Sequence, residues 1–200
     1  MGRLAPLTLD GLNPEQRALF DAITTGKRAI GRPLESFLLD DGGLRGPFNA
    51  WLHAPNIGQA AQRLGEAIRY ETDLPPKLRE LAILTVAAHW RADYEWWAHS
   101  RIGHDAGLAE ETITAVKRGK LPDDADADEL TVHRFVRELI EKKHLTDKTY
   151  RKTTMLLGDQ GAVELVTLAG YYTMVSMILN AFQVPMPKGE SPPFSRAKKA

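Results

Sequence analysis

The spacing of apolar residues along the chain predicts a protein built from helices. After Pro55, apolar residues recur at intervals of three and four, which is the pattern of an amphipathic helix whose apolar face is formed by Ile57, Ala60, Ala61, Leu64, Ala67 and Ile68. After Pro75 and Pro76, apolar positions fill more than one face as far as Ala88, as is typical of a buried central helix. No stretch alternates apolar and polar residues with a period of two, so the pattern indicates no strand. We therefore predict an all-α fold, a single-domain helical bundle.

Capping signals place the ends of several helices. Asn13 precedes Pro14, and Gln16 stands in the capping-box position, so a short helix is predicted from there to about Thr25. Further helices are predicted at Asp93–Ala106 with Asp93 as its cap and Gly107 as its stop, at Ala109–Lys117, at Asp128–Lys143, after a cap at Thr146, and from about Asp159, after a break at Gly158, to before Pro185.

The composition changes along the chain and predicts its domain organisation. Glycine, proline and aspartate dominate residues 31–47, which favours an irregular arm that covers part of the protein or a partner subunit. The last residues are polar and basic, which favours mobility. We expect an N-terminal helix and arm over 1–47, a helical domain over 48–187 and a mobile tail over 188–200.

A long uncharged run near the C-terminus needs weighing as a membrane span. Leu165–Pro187 contains no charged residue and is long enough to cross a bilayer. It nevertheless carries several polar side chains, and Asp159 and Glu164 precede it without basic anchors. We therefore expect a buried helix at a subunit interface and no membrane partner.

Charge and cysteine content exclude several classes of function. The 26 Lys and Arg residues balance 26 Asp and Glu residues, so no net field draws the chain to nucleic acid, and we expect no nucleic-acid partner. The chain has no cysteine, which excludes disulfides, cysteine-ligated metals and thiol redox chemistry. The first residues lack the apolar core of a secretory signal, so a cytoplasmic location is expected.

The segment from Leu74 to Leu108, LPPKLRELAILTVAAHWRADYEWWAHSRIGHDAGL, holds the candidate chemistry. Glu95 and His99 lie four residues apart, so they share one helix face and can touch. A carboxylate beside an imidazole raises the histidine pKa and suits the ring to general acid–base work near neutral pH. Glu80, on the preceding helix, could relay a second proton or hold the ring from its other side.

The same segment resembles the signature of the carboxymuconolactone decarboxylase and alkylhydroperoxidase D superfamily. In its redox branch a glutamate is followed after twelve residues by a cysteine, after three more by a second cysteine and after four more by a histidine. From Glu80 these offsets reach Ala92, Glu95 and His99, so both cysteine positions hold other residues. The resemblance, which extends over about 48–187, therefore implies the decarboxylase branch, which also lacks the cysteine pair, and excludes a thiol peroxidase.

The resemblance implies a function, a pocket and an assembly. It implies a cofactor-independent lyase, or a related isomerase, that acts on a small carboxylated or lactone-like metabolite, with Glu95 and His99 as its acid–base pair. It also implies homo-oligomers, trimers or hexamers. Aromatic and polar residues within the family-like segment are candidates for the substrate pocket: Tyr94, Trp96, Trp97, Trp51, His53, His89 and Asn180.

Other interpretations of these residues stay open. Glu95 and His99 can form a structural helix pair. They can ligate a metal together with Glu80 or His89, which would make the protein a metal-dependent hydrolase. The aromatic residues can be plain core, and His89 a core residue. The chain can also be a non-catalytic oligomeric protein that binds a small molecule and has lost the redox cysteines.

Overall fold

The computed structural model describes residues 2–194, and these fold into helices joined by turns and loops. The helices are α1 (Pro14–Thr25), α2 (Phe48–Leu52), α3 (Pro55–Tyr70), α4 (Pro76–Trp90), α5 (Asp93–Asp105), α6 (Glu110–Lys117), α7 (Ala127–Arg137) and α8 (Asp147–Ala181). A π-helical turn, Glu138–Lys142, continues α7, and short 3-10 turns occupy Leu9–Gly11, Lys27–Ala29 and Leu34–Phe37.

The predicted all-α fold class is confirmed. The described residues, 2–194, are 67% helical, and no strand forms among them. The predicted irregular arm holds a 3-10 turn and a single antiparallel bridge between Leu38 and Leu44, and Phe37 and Leu44 bury their side chains. The arm is thus irregular in backbone but anchored by apolar side chains.

The chain divides into two compact units. The first comprises Met1–Glu71 and Ile178–Ser191, and the second comprises Thr72–Met177 and Pro192–Ala200, as far as the described residues reach. The helical residues 48–71 thus fall into the same unit as the predicted arm. The division of the chain at residues 47 and 187 stays a prediction.

The first unit is built around α1, α2 and α3, which pack on one another. The capping box predicted at the start of α1 is present, because the Gln16 amide donates to Asn13 Oδ1 and the Asn13 amide donates to Gln16 Oε1. The predicted helix α3 forms, but Ile57 and Leu64 lie on its exposed side. Its buried face is instead lined by small residues such as Gly58, which lets the neighbouring backbone approach.

The second unit is centred on α4, which packs against α5, α6 and α7. Nine of its side chains are buried, from Leu78 to Ala87, so the helix is enclosed as its sequence predicted. A hydrophobic cluster of α4, α5 and α6 residues with Phe194 forms part of this core. The unit thereby fixes α4 and α5, which carry the candidate chemistry.

Helix α8 runs over 35 residues and contains the predicted break at Gly158, where φ is 70° and ψ is 177°. Among the residues described, it alone is long and apolar enough for a bilayer, with a mean hydropathy of 1.5. Half of the most apolar part of α8 is buried inside the protein. Because the core helix of a protein can be as long and as apolar as this one, the composition of α8 is weak evidence for a membrane span.

The C-terminal segment packs on the second unit at Phe194. This side chain is buried, and its ring meets the Trp96 ring edge-on at 5.4 Å. The Phe194 amide donates to Asp93 Oδ1 at 2.9 Å, so Asp93 binds this segment. Contrary to the prediction, Ala92 occupies the N-cap position of α5 and Asp93 is the first residue of the helix. The predicted mobile tail is therefore anchored at Phe194, and its remainder, 195–200, lies outside the described residues.

Candidate active site

A tight turn between α4 and α5 orients the two helices that carry the site. Arg91 adopts a left-handed conformation (φ 48°, ψ 44°), and its amide donates to the Ala88 carbonyl at 3.1 Å. The Ala92 amide donates to the Ala87 carbonyl at 3.0 Å. This pair of hydrogen bonds is a Schellman motif, which ends α4 and reverses the chain within two residues.

A glycine allows α5 to lie close to α4. A Cβ atom at Gly103 would meet Leu108 Cδ1 at 2.9 Å, Leu84 Cδ1 at 3.4 Å and Glu80 Cβ at 3.6 Å. Because Gly103 is one turn beyond His99 on the same helix, this close approach holds the His99 turn against the α4 residue Glu80. The sequence thus positions an imidazole from one helix opposite a carboxylate from the other.

The structure brings Glu80, Glu95 and His99 together as one hydrogen-bonded group. Nδ1 of His99 lies 2.5 Å from Glu80 Oε2, and Nε2 lies 3.0 Å from Glu95 Oε1. Both ring nitrogens therefore meet a carboxylate, and an imidazole can satisfy both only by donating from each of them, as a cation. We call these three residues the acid–base triad.

Burial and charge set the protonation of the triad. Glu80 is 0% exposed, Glu95 4% and His99 5%, so all three groups are withdrawn from water. Burial alone would lower the pKa of His99, but attraction and hydrogen bonds from Glu80 and Glu95 outweigh it and raise that pKa above its usual value. The two carboxylates thus favour the imidazolium form of the ring.

Two further side chains contact the triad, and the sequence did not single out either for that place. The Tyr172 ring meets the His99 ring nearly at right angles, with centroids 5.2 Å apart. Arg79 Nε lies 3.6 Å from Glu80 Oε1, where its positive charge partly balances the second carboxylate. The signal in the sequence for the Arg79 contact was its position directly before Glu80.

The three predicted aromatic residues of α5 take different places. Tyr94 and Trp97 are half-buried, and their rings contact each other at 5.4 Å. The Arg101 guanidinium lies 4.6 Å from the Trp97 ring centroid. Trp96 is buried in the hydrophobic cluster with Phe194, which agrees with the alternative that it is plain core. The role of these residues in a substrate pocket stays a prediction.

The other predicted pocket residues lie in different parts of the chain. Trp51 is buried in α2, and His53 follows α2 with its Nε2 3.0 Å from the Ala5 carbonyl oxygen. Asn180 is half-buried near the end of α8. These three belong to the first unit. His89 is exposed near the end of α4 in the second unit, so it is not a core residue.

The structure offers no support for the metal-binding alternative within residues 2–194. No group of three or more His, Asp or Glu side chains in that range has an arrangement that could hold a metal ion. The triad joins its members through hydrogen bonds between carboxylate oxygens and ring nitrogens.

Comparisons with known proteins find similarity to the fold as a whole and to the segment of sequence that carries the triad. The sequence profile of the Carboxymuconolactone decarboxylase family matches residues 55–138, which include the whole triad. No curated protein matches the chain. A crystal structure described as an alkylhydroperoxidase AhpD core, an uncharacterized peroxidase-related protein from Ralstonia eutropha JMP134, is similar with a TM-score of 0.72 and 13% identity, over 94% of this chain and 93% of that one.

Each comparison supports a different part of the assignment. The structural similarity, at 13% identity, shows a common fold. The profile match supplies the relationship in sequence, over residues 55–138. The cysteine-free chain thus resembles the Carboxymuconolactone decarboxylase family over residues 55–138, the segment that holds the predicted sequence signature, and shares the fold of the AhpD core structure.

Proposed function

We propose that the protein is a cofactor-independent lyase, or a related isomerase, that acts on a small carboxylated or lactone-like metabolite. The observation that carries this proposal is the acid–base triad, in which one buried imidazole is held between two carboxylates. The family match over residues 55–138 supports the substrate class. A raised histidine pKa suits the ring to deliver a proton near neutral pH.

The exposure of the three groups suggests how they divide the work. Glu80 is completely buried, so it acts as the positioning residue that orients the ring through Nδ1. Glu95 and His99 retain a little exposure, so they form the end of the triad that a substrate would reach. The proton on Nε2 is then the one shared with Glu95 and delivered to the substrate.

For a decarboxylation, the reaction balances without any cofactor. The bond between the substrate carbon and its carboxylate breaks, carbon dioxide leaves, and the electron pair moves into the conjugated lactone carbonyl as an enolate. The triad supplies a proton to carbon, and water restores that proton to Glu95 or His99. The imidazolium also stabilises the negative charge that develops on the enolate.

A non-catalytic binding protein is the second candidate, favoured by the near-complete burial of His99. In that case the triad is a structural element that joins α4 to α5. A buried ion pair can serve conformational specificity without taking part in chemistry.

One assay separates the two candidates. Purified protein is incubated with 4-carboxymuconolactone, the substrate type after which the family is named, and ultraviolet absorbance and carbon dioxide release are followed. We expect Glu95→Gln and His99→Asn each to lower turnover about a hundredfold or more, and Glu111→Gln, at an exposed site on α6, to leave it unchanged. Binding of the lactone without turnover in the wild type would instead favour the binding protein.

We also propose that the protein forms a homo-oligomer. Helix α8 exposes apolar side chains in the second unit, including Met155 at 87%, Val163 at 66% and Val166 at 42%. Val163 and Val166 lie three residues apart on the helix that follows the break at Gly158, and Met155 lies before the break. Exposed apolar side chains of this kind are typical of a surface covered by another subunit.

A further inference from the structure

A second polar site lies in the second unit, at a cavity apart from the triad residues. The cavity has a volume of about 320 Å³ and lies where α4 and α6 end, beside α7 and the π-helical turn. Its charged and titratable lining residues are His89, Arg91, Lys117, Arg118, His133, Arg137 and Glu141.

The lining of this cavity is strongly positive. Four permanent cations, Arg91, Lys117, Arg118 and Arg137, meet a single carboxylate, Glu141. Arg137 is already paired with that carboxylate, because its Nε donates to Glu141 Oε1 at 2.8 Å. A concave surface that concentrates one sign of charge attracts ligands of the opposite sign.

A buried histidine points to a ligand more specifically. His133 is only 8% exposed and lines the cavity, and its Nε2 has no hydrogen-bond partner within residues 2–194. Burial, followed by repulsion from Arg137, lowers the pKa of His133 to about 4, so its ring is neutral at physiological pH. A buried polar atom without a partner calls for an explanation, and a bound water or ion that completes its hydrogen bond is one such explanation.

An interaction of the basic residues with the helix dipoles would explain the cations but not the buried histidine. Basic residues near the ends of α4 and α6 interact favourably with the helix dipoles, whether or not a ligand is present. That effect does not explain why the lining includes a buried histidine whose Nε2 has no hydrogen-bond partner within residues 2–194. An anion that accepts hydrogen bonds could interact with both the cations and the histidine.

We propose that this cavity binds a small oxyanion, a phosphate or carboxylate group, which accepts a hydrogen bond from His133 and is held by the surrounding Lys and Arg side chains. The site shares no residue with the acid–base triad and does not depend on the proposed lyase activity. A volume of about 320 Å³ suits a small metabolite that carries the anionic group.

The first experiment measures anion binding to the full chain by calorimetry, with inorganic phosphate as the probe at constant ionic strength. We expect saturable binding with one phosphate per chain. The double variant Lys117→Gln/Arg118→Gln should weaken binding by at least about tenfold, because two charged donors are lost. Arg134→Gln/Lys152→Gln removes two charges at another surface of the same unit and should leave the affinity within about twofold.

Equal weakening by the two double variants would overturn the proposal, because it would show attraction by overall charge alone. Absence of saturable binding of both phosphate and malonate would overturn it as well. Tighter binding of phosphate than of malonate supports a phosphate ligand, and the reverse order supports a carboxylate ligand.

A second experiment tests the role of His133. His133→Gln keeps an N–H donor, whereas His133→Phe keeps only the bulk of the ring, so we expect the Gln variant to bind the anion more tightly. Both variants are first checked for folding by circular dichroism. The His133 ring signals of the wild type are also titrated with acid in the presence and absence of sulfate, which stays doubly charged in the acidic range.

Bound sulfate should raise the pKa of His133 from its low value, since an adjacent anion favours the imidazolium. The other charged and titratable groups around the cavity, His89, Arg91, Lys117, Arg118, Arg137 and Glu141, are present in both titrations, so the difference reports the anion. Equal binding by the two His133 variants, or a His133 pKa unchanged by sulfate, would contradict the proposal.

Discussion

At the scale of single residues, His99 makes the stability of the protein depend on pH. Its pKa is raised in the folded protein, because Glu80 and Glu95 favour the imidazolium more strongly than burial opposes it. A group with a raised folded pKa contributes its full stabilisation below the unfolded pKa, near 6.5. That contribution is lost as the pH rises from there through the folded pKa.

We therefore expect the free energy of unfolding to fall as the pH rises above neutrality, by about 1.4 kcal/mol for each unit by which the pKa is raised. His99→Asn should be less stable at neutral pH and should lack this fall. Urea denaturation at a series of pH values measures how the free energy of unfolding depends on pH. The control is His104→Asn, at the exposed end of α5. Parallel pH profiles for wild type and His99→Asn would contradict the assignment.

The sequence could predict part of the triad. The spacing of Glu95 and His99 places them on one helix face, whatever the rest of the fold does. Glu80 could be proposed only as a partner on the preceding helix, since its place depends on the turn at Arg91 and the close approach at Gly103. Tyr172 could not be predicted, because its contact with His99 joins residues far apart in the chain and depends on tertiary packing.

At the scale of helices, signals from neighbouring residues predicted where a helix begins or breaks better than which of its faces is buried. The capping box of α1 and the break in α8 depend on neighbouring residues only, and both are present as predicted. Asp93 was predicted to cap α5, but Ala92 occupies the N-cap position, and the Asp93 carboxylate accepts from the Phe194 amide. The buried face of α3 was also misjudged at Ile57 and Leu64, because small residues at the packed face allow close contact there.

The break in α8 leads to a prediction at this scale. Gly158 combines φ 70° with ψ 177°, a conformation that is essentially restricted to glycine. Gly158→Ala should lower the free energy of unfolding by about 1–3 kcal/mol, even though no atom lies within 4 Å of a Cβ there. Thermal and urea denaturation measure the change.

Gly170→Ala is the matched control, since Gly170 lies in the same helix and its Cβ also has open space. There the backbone is helical, so alanine should stabilise the protein by about 0.5–1 kcal/mol. Destabilisation of the same size at both positions would show that the kink conformation is not the cause.

At the scale of the whole molecule, the helical pattern was sufficient to predict the all-α fold. The nearly continuous apolar faces of α4 identified the centre of the second unit. The anchoring of the C-terminal segment could not be predicted. The segment is polar and basic overall, and a single aromatic residue, Phe194, gives no pattern that would identify it as part of the core. Phe194 packs against Trp96, and the Arg91 and Lys117 cations lie over its ring.

This anchoring gives a prediction for the stability of the second unit. Phe194→Ala should lower the free energy of unfolding by about 3 kcal/mol, because it empties a site in the hydrophobic cluster. Tryptophan fluorescence should also change, since the ring edge that contacts Trp96 is removed. Pro192→Ala, two residues earlier at an exposed position, is the control and should have little effect. Equal stability of Phe194→Ala and wild type would show that the segment does not contribute to the core.

The central claim is that Glu80 and Glu95 hold His99 as a buried imidazolium within an all-α chain that has no cysteine. Its most direct test is an NMR titration of the His99 ring in the wild type, Glu80→Gln and, as a control, Glu111→Gln. The account predicts a pKa above 6.5 in the wild type and in the control, and a pKa lower by roughly one unit or more in Glu80→Gln. A wild-type pKa at or below 6.5, or one that Glu80→Gln leaves unchanged, would contradict it.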